Sequence, residues 1–77
     1  MKVVVTVMPK PSVLDPQGAA TAEAMKHSGV AGIRGVRVGK SIEVEFDGEP
    51  DAASLEEVAR DLLSNPVIED YSISRPV

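Results

Sequence analysis

The strongest constraint on the fold lies near the start of the sequence, where residues 2–8 (KVVVTVM) form a run of mostly β-branched side chains. Such side chains fit a pleated strand, and both alternating faces of this one are apolar apart from Lys2 and Thr6. A strand that is apolar on both faces is typical of the centre of a sheet covered on both sides. The chain has only 77 residues, with one Phe, one Tyr and no Cys, so its own core is aliphatic and thin. We therefore expect a partner chain to complete it.

Composition and charge exclude several classes of protein. Twelve acidic and eight basic residues give a formal net charge of −4, whereas nucleic-acid binding requires a basic surface. No apolar run approaches the roughly 20 residues of a membrane span, so we expect no membrane segment and a cytoplasmic location. Without cysteine, and with His27 as the only histidine, the chain offers no thiolate or histidine-based metal site. It also lacks a P-loop, a dinucleotide fingerprint and a nucleophile with its base, so we expect no catalytic, cofactor-binding or metal-binding residues.

Asp15 followed by Pro16 predicts the start of a first helix, because a capping carboxylate and a proline at the first helical position are typical of helix N-termini. The helix is expected to run to about Ser28, where Gly29 supplies a left-handed stop. Small side chains on its inner side would let it lie close against the sheet. The residues predicted on that side are Ala20, Ala24 and Met25.

Residues 33–47 show the clearest alternation of apolar and polar side chains in the chain. A loop at residues 39–41 would make a hairpin in which Val38 pairs with Ile42 and like side chains meet. The alternative is one long bent strand with a bulge at Gly39, shared across a dimer. Periodicity alone does not separate these two arrangements.

A second helix is predicted by an apolar stripe at helical spacing. The stripe consists of Leu55, Val58, Ala59, Leu62 and Leu63. Ser54 with Glu57 matches a capping box, although Asp51 could cap the helix one turn earlier. Asn65 and Pro66 end the helix, and residues 67–75 alternate again as a last strand.

Together these segments give the order β-α-β-β-α-β in a single domain over residues 1–77. Right-handed crossovers fold this order into an α+β, ferredoxin-like two-layer sandwich, an antiparallel sheet of four strands with both helices on one face. The other face mixes valines with charged side chains, a composition that favours contact with another protein over exposure to water. We therefore expect a homo-oligomer or a partner chain at that face.

Five polar residues are candidates for contact with a partner or an anion: Lys10, Asp15, Gln17, Arg37 and Lys40. Lys10 stands between two prolines, which hold it on a stiff, exposed loop. Asp15 and Gln17 open the first helix, whose backbone N–H groups attract anions, although Asp15 is also the predicted cap. Arg37 and Lys40 lie on or beside the second strand region, where neutralising nearby glutamates is the simpler role for them.

Four segments, taken in order, resemble the PurS family, the small subunit of phosphoribosylformylglycinamidine (FGAM) synthase. They are VTVMPKP (residues 5–11), VLDPQG (13–18), VRVGK with IEV (36–40 and 42–44) and NPVIEDY (65–71). Each segment is weak alone, because Asp-Pro and Asn-Pro are ordinary helix-boundary signals, but four in order at this length are fairly specific. The sequence departs from the family pattern at Ser41, where an aromatic residue is expected, and in its alanine-rich first helix. Both differences concern packing.

The resemblance implies a role inside a three-protein glutamine amidotransferase, an ATP-dependent C–N ligase of purine biosynthesis. In that complex a glutaminase subunit releases ammonia, and a large synthetase subunit uses ATP and Mg²⁺ to convert formylglycinamide ribonucleotide to its amidine, FGAM. The small subunit resembles a non-catalytic assembly factor that forms a homodimer or tetramer, bridges the other two subunits and helps ammonia pass between them. No cofactor is then expected in this chain itself.

Two other functions stay open at this point. A ferredoxin-like regulatory module would bind a small molecule at a dimer interface, near the loop after the first strand. An acylphosphatase-like enzyme shares the architecture, but the sequence has no convincing anion-binding loop for it.

Overall fold

The computed structural model describes residues 1–75 and contains three strands and two helices. In chain order they are β1 (Lys2–Pro9), α1 (Pro16–His27), β2 (Lys40–Glu45), α2 (Ala52–Val58) and β3 (Glu69–Ser74). A π-helical segment, Ala59–Leu63, continues α2 directly, and we call it the π turn. No helix among the described residues is long and apolar enough to cross a membrane.

β1 is the central strand, as its two apolar faces predict. The sheet order is β2-β1-β3, and both pairings are antiparallel. Val5 in the middle of β1 lies opposite Ile42 of β2 and Ile73 of β3, so apolar residues of all three strands share one face. The predicted α+β, ferredoxin-like arrangement is confirmed, with three strands in the sheet where the sequence predicted four.

The core lies between this face of the sheet and α2. Val3, Val5 and Val7 are fully buried, and Leu55 and Ala59 are buried with them. Leu55 and Ala59 lie four residues apart, a spacing that puts both on one side of the helical segment. Burying one valine or leucine side chain contributes roughly 1.5–3 kcal/mol. These few contacts therefore supply much of the stability of the fold.

The opposite face of the sheet is more open. On β1 it carries Val4, Thr6 and Met8, which are all only partly buried. Lys2 forms an exposed ion pair with Glu43 of β2 at 3.7 Å. An exposed pair of this kind contributes little to stability. This face has the mixed apolar and charged character that the sequence predicts.

The N-terminus of α2 is capped by Asp51, the earlier of the two caps considered. The Asp51 carboxylate accepts hydrogen bonds from the Ser54 N–H at 3.2 Å and from the Ser54 hydroxyl at 2.7 Å. The capping box at Ser54 and Glu57 is therefore wrong. Ser54 lies inside the helix as a donor to the cap, because the helix already begins at Ala52.

The π turn at the end of α2 changes which side chains face the core. The Ser64 hydroxyl donates to the carbonyl oxygens of Ala59 at 2.8 Å and Arg60 at 3.2 Å. A π turn is wider than an α-helical turn, so it shifts the side chains that follow around the helix axis. Leu62 is consequently 76% exposed, and its prediction as part of the buried stripe is wrong, whereas Leu63 packs against the core.

α1 forms where predicted but does not cover the sheet. It stops before Gly29, which adopts the left-handed conformation with φ of 91°. Gly18 is the only buried residue of α1. The predicted inner side of the helix is exposed at Ala20, Ala24 and Met25, so the expectation that this side lies against the chain's own sheet is wrong.

The arm, which we define as α1 and the segment that returns from it (residues 16–38), projects from the sheet. The radius of gyration is 15.6 Å and the longest dimension is 47 Å, whereas a compact chain of this length has a radius of gyration of about 11–12 Å. No turn or bend interrupts residues 33–45. The chain thus enters β2 without a turn, so the predicted hairpin at residues 39–41 is wrong. The alternative of one long bent strand over residues 33–47 is not formed either, because strand structure covers only Lys40–Glu45.

Candidate functional site

The predicted contact residues lie where β1 ends and the arm begins and ends, a region we call the junction (residues 9–18 and 36–40). The Lys10 backbone N–H donates to the carbonyl oxygen of Ile68 at 2.9 Å. The Lys10 ammonium donates to the Asp70 carboxylate at 2.8 Å. The two side chains are 35% and 60% exposed, so this ion pair stays open to solvent. These bonds hold Lys10 in place beside the start of β3.

Asp15 stands at the N-cap position of α1, but its side chain does not cap the helix. Asp15 Oδ2 instead accepts the backbone N–H of Val38 at 2.9 Å. This bond is the main cause that holds the pKa of Asp15 below its usual value. The backbone N–H groups of Gly18 and Gln17 at the start of α1 act in the same direction, and so does the Arg37 guanidinium. The predicted helix start is correct, whereas the predicted capping bond is replaced by a link to the returning segment.

Two glycines allow the backbone segments of the junction to approach one another. A Cβ on Gly18 would overlap the Val36 carbonyl oxygen, and it would also meet the Asp15 carboxylate. A Cβ on Gly39 would overlap the Val7 carbonyl oxygen at the end of β1. Neither glycine has a positive φ, so close approach is the reason for glycine at both positions.

Arg37 belongs to the junction, and Lys40 and Gln17 lie at its edges. Arg37 Nη1 donates to the carbonyl oxygen of Pro9 at 3.1 Å. Lys40 is the first residue of β2, Gln17 lies in the first turn of α1, and both are exposed. Asp15 and Arg37 are therefore anchored by hydrogen bonds within the junction, and Lys10 is anchored by bonds to Ile68 and Asp70 beside it.

The junction is chemically suited to holding backbone segments together. Asp15 and Arg37 bind backbone atoms, and Lys40 forms no ion pair with any carboxylate of residues 1–75. Sequence reasoning missed Asp70, because nothing in the sequence marks a residue sixty positions from Lys10 as its partner. It also missed the Gly39 contact, since Gly39 was assigned to a loop or a bulge.

A second feature is an apolar groove of about 270 Å³ between β2 and α2, which we call the α2 groove. Its apolar lining consists of Val44, Phe46, Pro50, Leu55, Val58 and Leu63. Val58 is 41% exposed, so the groove is open to solvent along the helix.

The sequence decides the family. Residues 2–76 match the family model of PurS, described as phosphoribosylformylglycinamidine (FGAM) synthase. The chain belongs to the PurS family. The PurS subunit of FGAM synthase from Mycobacterium leprae is 46% identical over 74 residues, which cover 96% of this chain and 94% of that protein. The PurS subunit from Bacillus subtilis is 42% identical over 72 residues, covering 91% and 86%.

Solved PurS structures share the fold. B. subtilis PurS in its C2 crystal form matches with a TM-score of 0.82 and 40% identity, covering 95% of this chain and 94% of that one. A chain in the structure of PurLQS from Thermotoga maritima matches with a TM-score of 0.79 and 26% identity, covering 95% and 93%. Both matches cover 95% of this chain, so they include the arm as well as the sheet.

Acid should destabilise this PurS-family chain below about pH 4. The Val38 N–H lowers the pKa of Asp15, and the Ser54 hydroxyl lowers that of Asp51. A carboxyl whose pKa is lower in the folded state stabilises the fold above its unfolded-state pKa, and this contribution is lost as the pH falls through the folded-state pKa. Urea unfolding at several pH values between 7 and 2.5 checks this. Asp51→Asn should lose less stability on acidification than the wild type, and an equal loss would contradict the assignment.

Proposed function

We propose that this chain is the small subunit of FGAM synthase and acts as a non-catalytic assembly subunit that bridges the glutaminase and synthetase subunits. The observation that carries the proposal is the match over nearly the full length to a chain of the T. maritima PurLQS structure. In this role the chain supplies surfaces, while the reacting groups lie in its partners. A bridge also keeps the source of ammonia close to the synthetase site, which shortens the path that ammonia travels.

The proposal places ATP and Mg²⁺ in the large synthetase subunit and assigns no cofactor to this chain. Within residues 1–75 no three His, Cys, Asp or Glu side chains are grouped so that they could hold a metal ion. The substrates of the complex are then formylglycinamide ribonucleotide, ATP and glutamine. The proposal also places the complex in the cytoplasm, where ATP and glutamine are available.

The proposal includes a homodimer formed by exchange of the arms. In the single chain, the alanine-rich side of α1 is exposed and the α2 groove is open. A helix side with small residues such as Ala20 and Ala24 can approach an apolar groove closely. An arm that projects from its own sheet can reach the groove of a second copy, and the reciprocal contact covers both grooves in one symmetric dimer. Two such dimers would form a tetramer.

Val58→Asp should convert the dimer to monomers. Val58 lines the α2 groove and is 41% exposed, so aspartate can remain hydrated in the single chain. In the dimer it would place an unpaired charge against α1 of the second copy, which should weaken the dimer at least about a hundredfold. The matched control is Val67→Asp, at a residue that is 78% exposed and outside the groove. Sedimentation equilibrium measures both dissociation constants, and equal values for the two variants would refute the arrangement.

Within the same proposal, the basic side chains of the junction contact an acidic surface of a partner subunit. Lys40→Glu is the cleanest test, since Lys40 has no ion pair within residues 1–75. We expect about fivefold weaker binding to the partner, with a smaller dependence on salt concentration. Lys26→Glu, at the far end of α1, is the matched control, because Lys26 forms an exposed pair with Glu23 at 3.9 Å, which contributes little to stability. Equal affinities of the two variants for the partner subunit would show that the junction does not lie in the interface.

Assembly itself is tested by mixing this chain with the glutaminase and synthetase subunits of the same organism, in the presence of ATP, Mg²⁺ and glutamine. Size exclusion with light scattering should detect a complex of all three proteins. Without this chain, we expect the other two subunits to elute separately. A glutaminase–synthetase complex that forms equally well while this chain elutes alone would refute the bridging role.

A further inference from the structure

The ladder of hydrogen bonds between β1 and β2 ends one rung earlier than the register of the two strands allows. Met1 and Phe46 exchange two backbone hydrogen bonds of 2.8 Å each. In an antiparallel pair such hydrogen-bonded rungs recur at every second residue. The pairing of the two strands ends at Val7, which belongs to this series. Counting on in the same register, the next rung would join Pro9 to Val38.

Side chains take both backbone groups of this missing rung. Proline has no N–H, so the rung could contain only one bond, from the Val38 N–H to the Pro9 carbonyl oxygen. In the structure the Asp15 carboxylate accepts the Val38 N–H at 2.9 Å, and the Arg37 guanidinium donates to the Pro9 carbonyl oxygen at 3.1 Å. Both backbone groups are therefore satisfied, although they do not bond to each other.

We propose that Asp15 and Arg37 are positioning residues that replace the last rung between β1 and β2 and thereby set the direction in which the arm leaves its own sheet. The proposal rests on the arm-exchanged dimer proposed above and names the residues that prepare the single chain for it. Hydrogen bonds to charged groups are roughly twice as strong as those between neutral groups. The two side chains can therefore hold apart two backbone groups that would otherwise pair.

The packing of the junction supports this role independently. The backbone of Gly18 lies against the Val36 carbonyl oxygen, so the start of α1 and the returning segment are in contact at Gly18 as well as at Asp15. α1 is consequently tied to Val38 and not to the sheet. A change in the path of the chain at Val38 must then move the whole helix. The direction of α1 in turn decides whether it meets the α2 groove of a second copy.

Asp15→Ala frees the Val38 N–H, which can then bond to the Pro9 carbonyl oxygen and draw the returning segment onto β1. We expect the dimer to weaken about tenfold. Asp15→Asn keeps an acceptor oxygen at the same place and should restore most of the affinity. Residual dipolar couplings measure the angle between α1 and β1 directly. This angle should change in Asp15→Ala and return toward the wild-type value in Asp15→Asn, a pattern that a loss of stability alone would not produce.

Gly18→Ala provides a second, steric test. Helix propensity and the packing at Gly18 predict opposite effects for this substitution. Alanine normally stabilises a helix relative to glycine, yet here its Cβ would push the Val36 carbonyl oxygen away. We expect a weaker dimer and a changed α1 angle. Gly35→Ala is the matched control, because a Cβ there meets no atom within 4 Å. It should leave both quantities unchanged.

The possible failures of the two proposals can be told apart. If Asp15→Ala and Gly18→Ala keep the wild-type angle between α1 and β1, the positioning role is wrong, whatever the oligomeric state. If the wild-type chain is a monomer at all concentrations while the variants do change the angle, the positioning role stands and the dimer is wrong.

Discussion

Leu55→Ala should lower the free energy of unfolding by about 2–4 kcal/mol. Leu55 is only 7% exposed and packs in the cluster formed by Val3, Val5 and Val7. Truncation removes buried methyl groups and leaves a cavity that the sheet can fill only in part, since the valines are fixed by their strand. The total stability of a domain of this size is only about 5–10 kcal/mol. One substitution should therefore remove a large part of it.

Leu62→Ala is the matched control, because it makes the same chemical change seven residues further along. Leu62 is 76% exposed in the π turn, so its truncation should change the free energy of unfolding by less than about 0.5 kcal/mol. Urea unfolding followed by circular dichroism gives both values. A larger loss of stability for Leu62→Ala than for Leu55→Ala would contradict the structure. It would mean that the side of the helical segment carrying Leu62 packs against the sheet.

Gly39→Ala should lower the free energy of unfolding by about 1–3 kcal/mol. Gly39 lies where the returning segment enters β2, and a Cβ there would overlap both the Val7 carbonyl oxygen and the Met8 sulfur. The methionine side chain can move aside, but the carbonyl belongs to the central strand and is held by it. The returning segment must therefore shift, which disturbs the pairing of β1 with β2 at its last step.

Gly35→Ala serves as the control for this prediction as well. It changes glycine to alanine in the same extended segment, at a position where the new methyl group meets nothing within 4 Å. It should be neutral or slightly stabilising, because alanine restricts the unfolded chain. Thermal unfolding of the two variants in parallel separates the steric effect from the general effect of removing a glycine. Equal stabilities would mean that the chain does not pass close to Val7.

Much of the fold follows from signals that are local in the sequence. The two apolar faces of residues 2–8 predict a central strand, and Pro16 and Gly29 mark the ends of α1 within a residue. The errors arise where tertiary contacts override local pattern. Leu62 fits a regular helical stripe, but the Ser64 hydroxyl stabilises a π turn that moves it outward. The alanine-rich composition of one side of α1 indicates a contact surface. Composition does not show whether this surface packs against the chain's own sheet or against another chain.

The junction was predictable only in its choice of residues. Lys10, Asp15 and Arg37 stand out through their proline neighbours, their place at a helix start and their charge. Their partners lie 60, 23 and 28 positions away in the sequence. No local pattern encodes such pairings. The sequence therefore predicted contact with an anion or a partner. In the structure, Asp15 and Arg37 bind the backbone of their own chain.

In the proposed complex this chain enables a reaction without supplying reacting groups. The most direct test measures FGAM formation by the glutaminase and synthetase subunits, with and without this chain, using glutamine or free ammonia as the nitrogen source. We predict that glutamine-dependent synthesis requires this chain, while synthesis from free ammonia by the large subunit does not. Full glutamine-dependent activity in the absence of the chain would contradict the account.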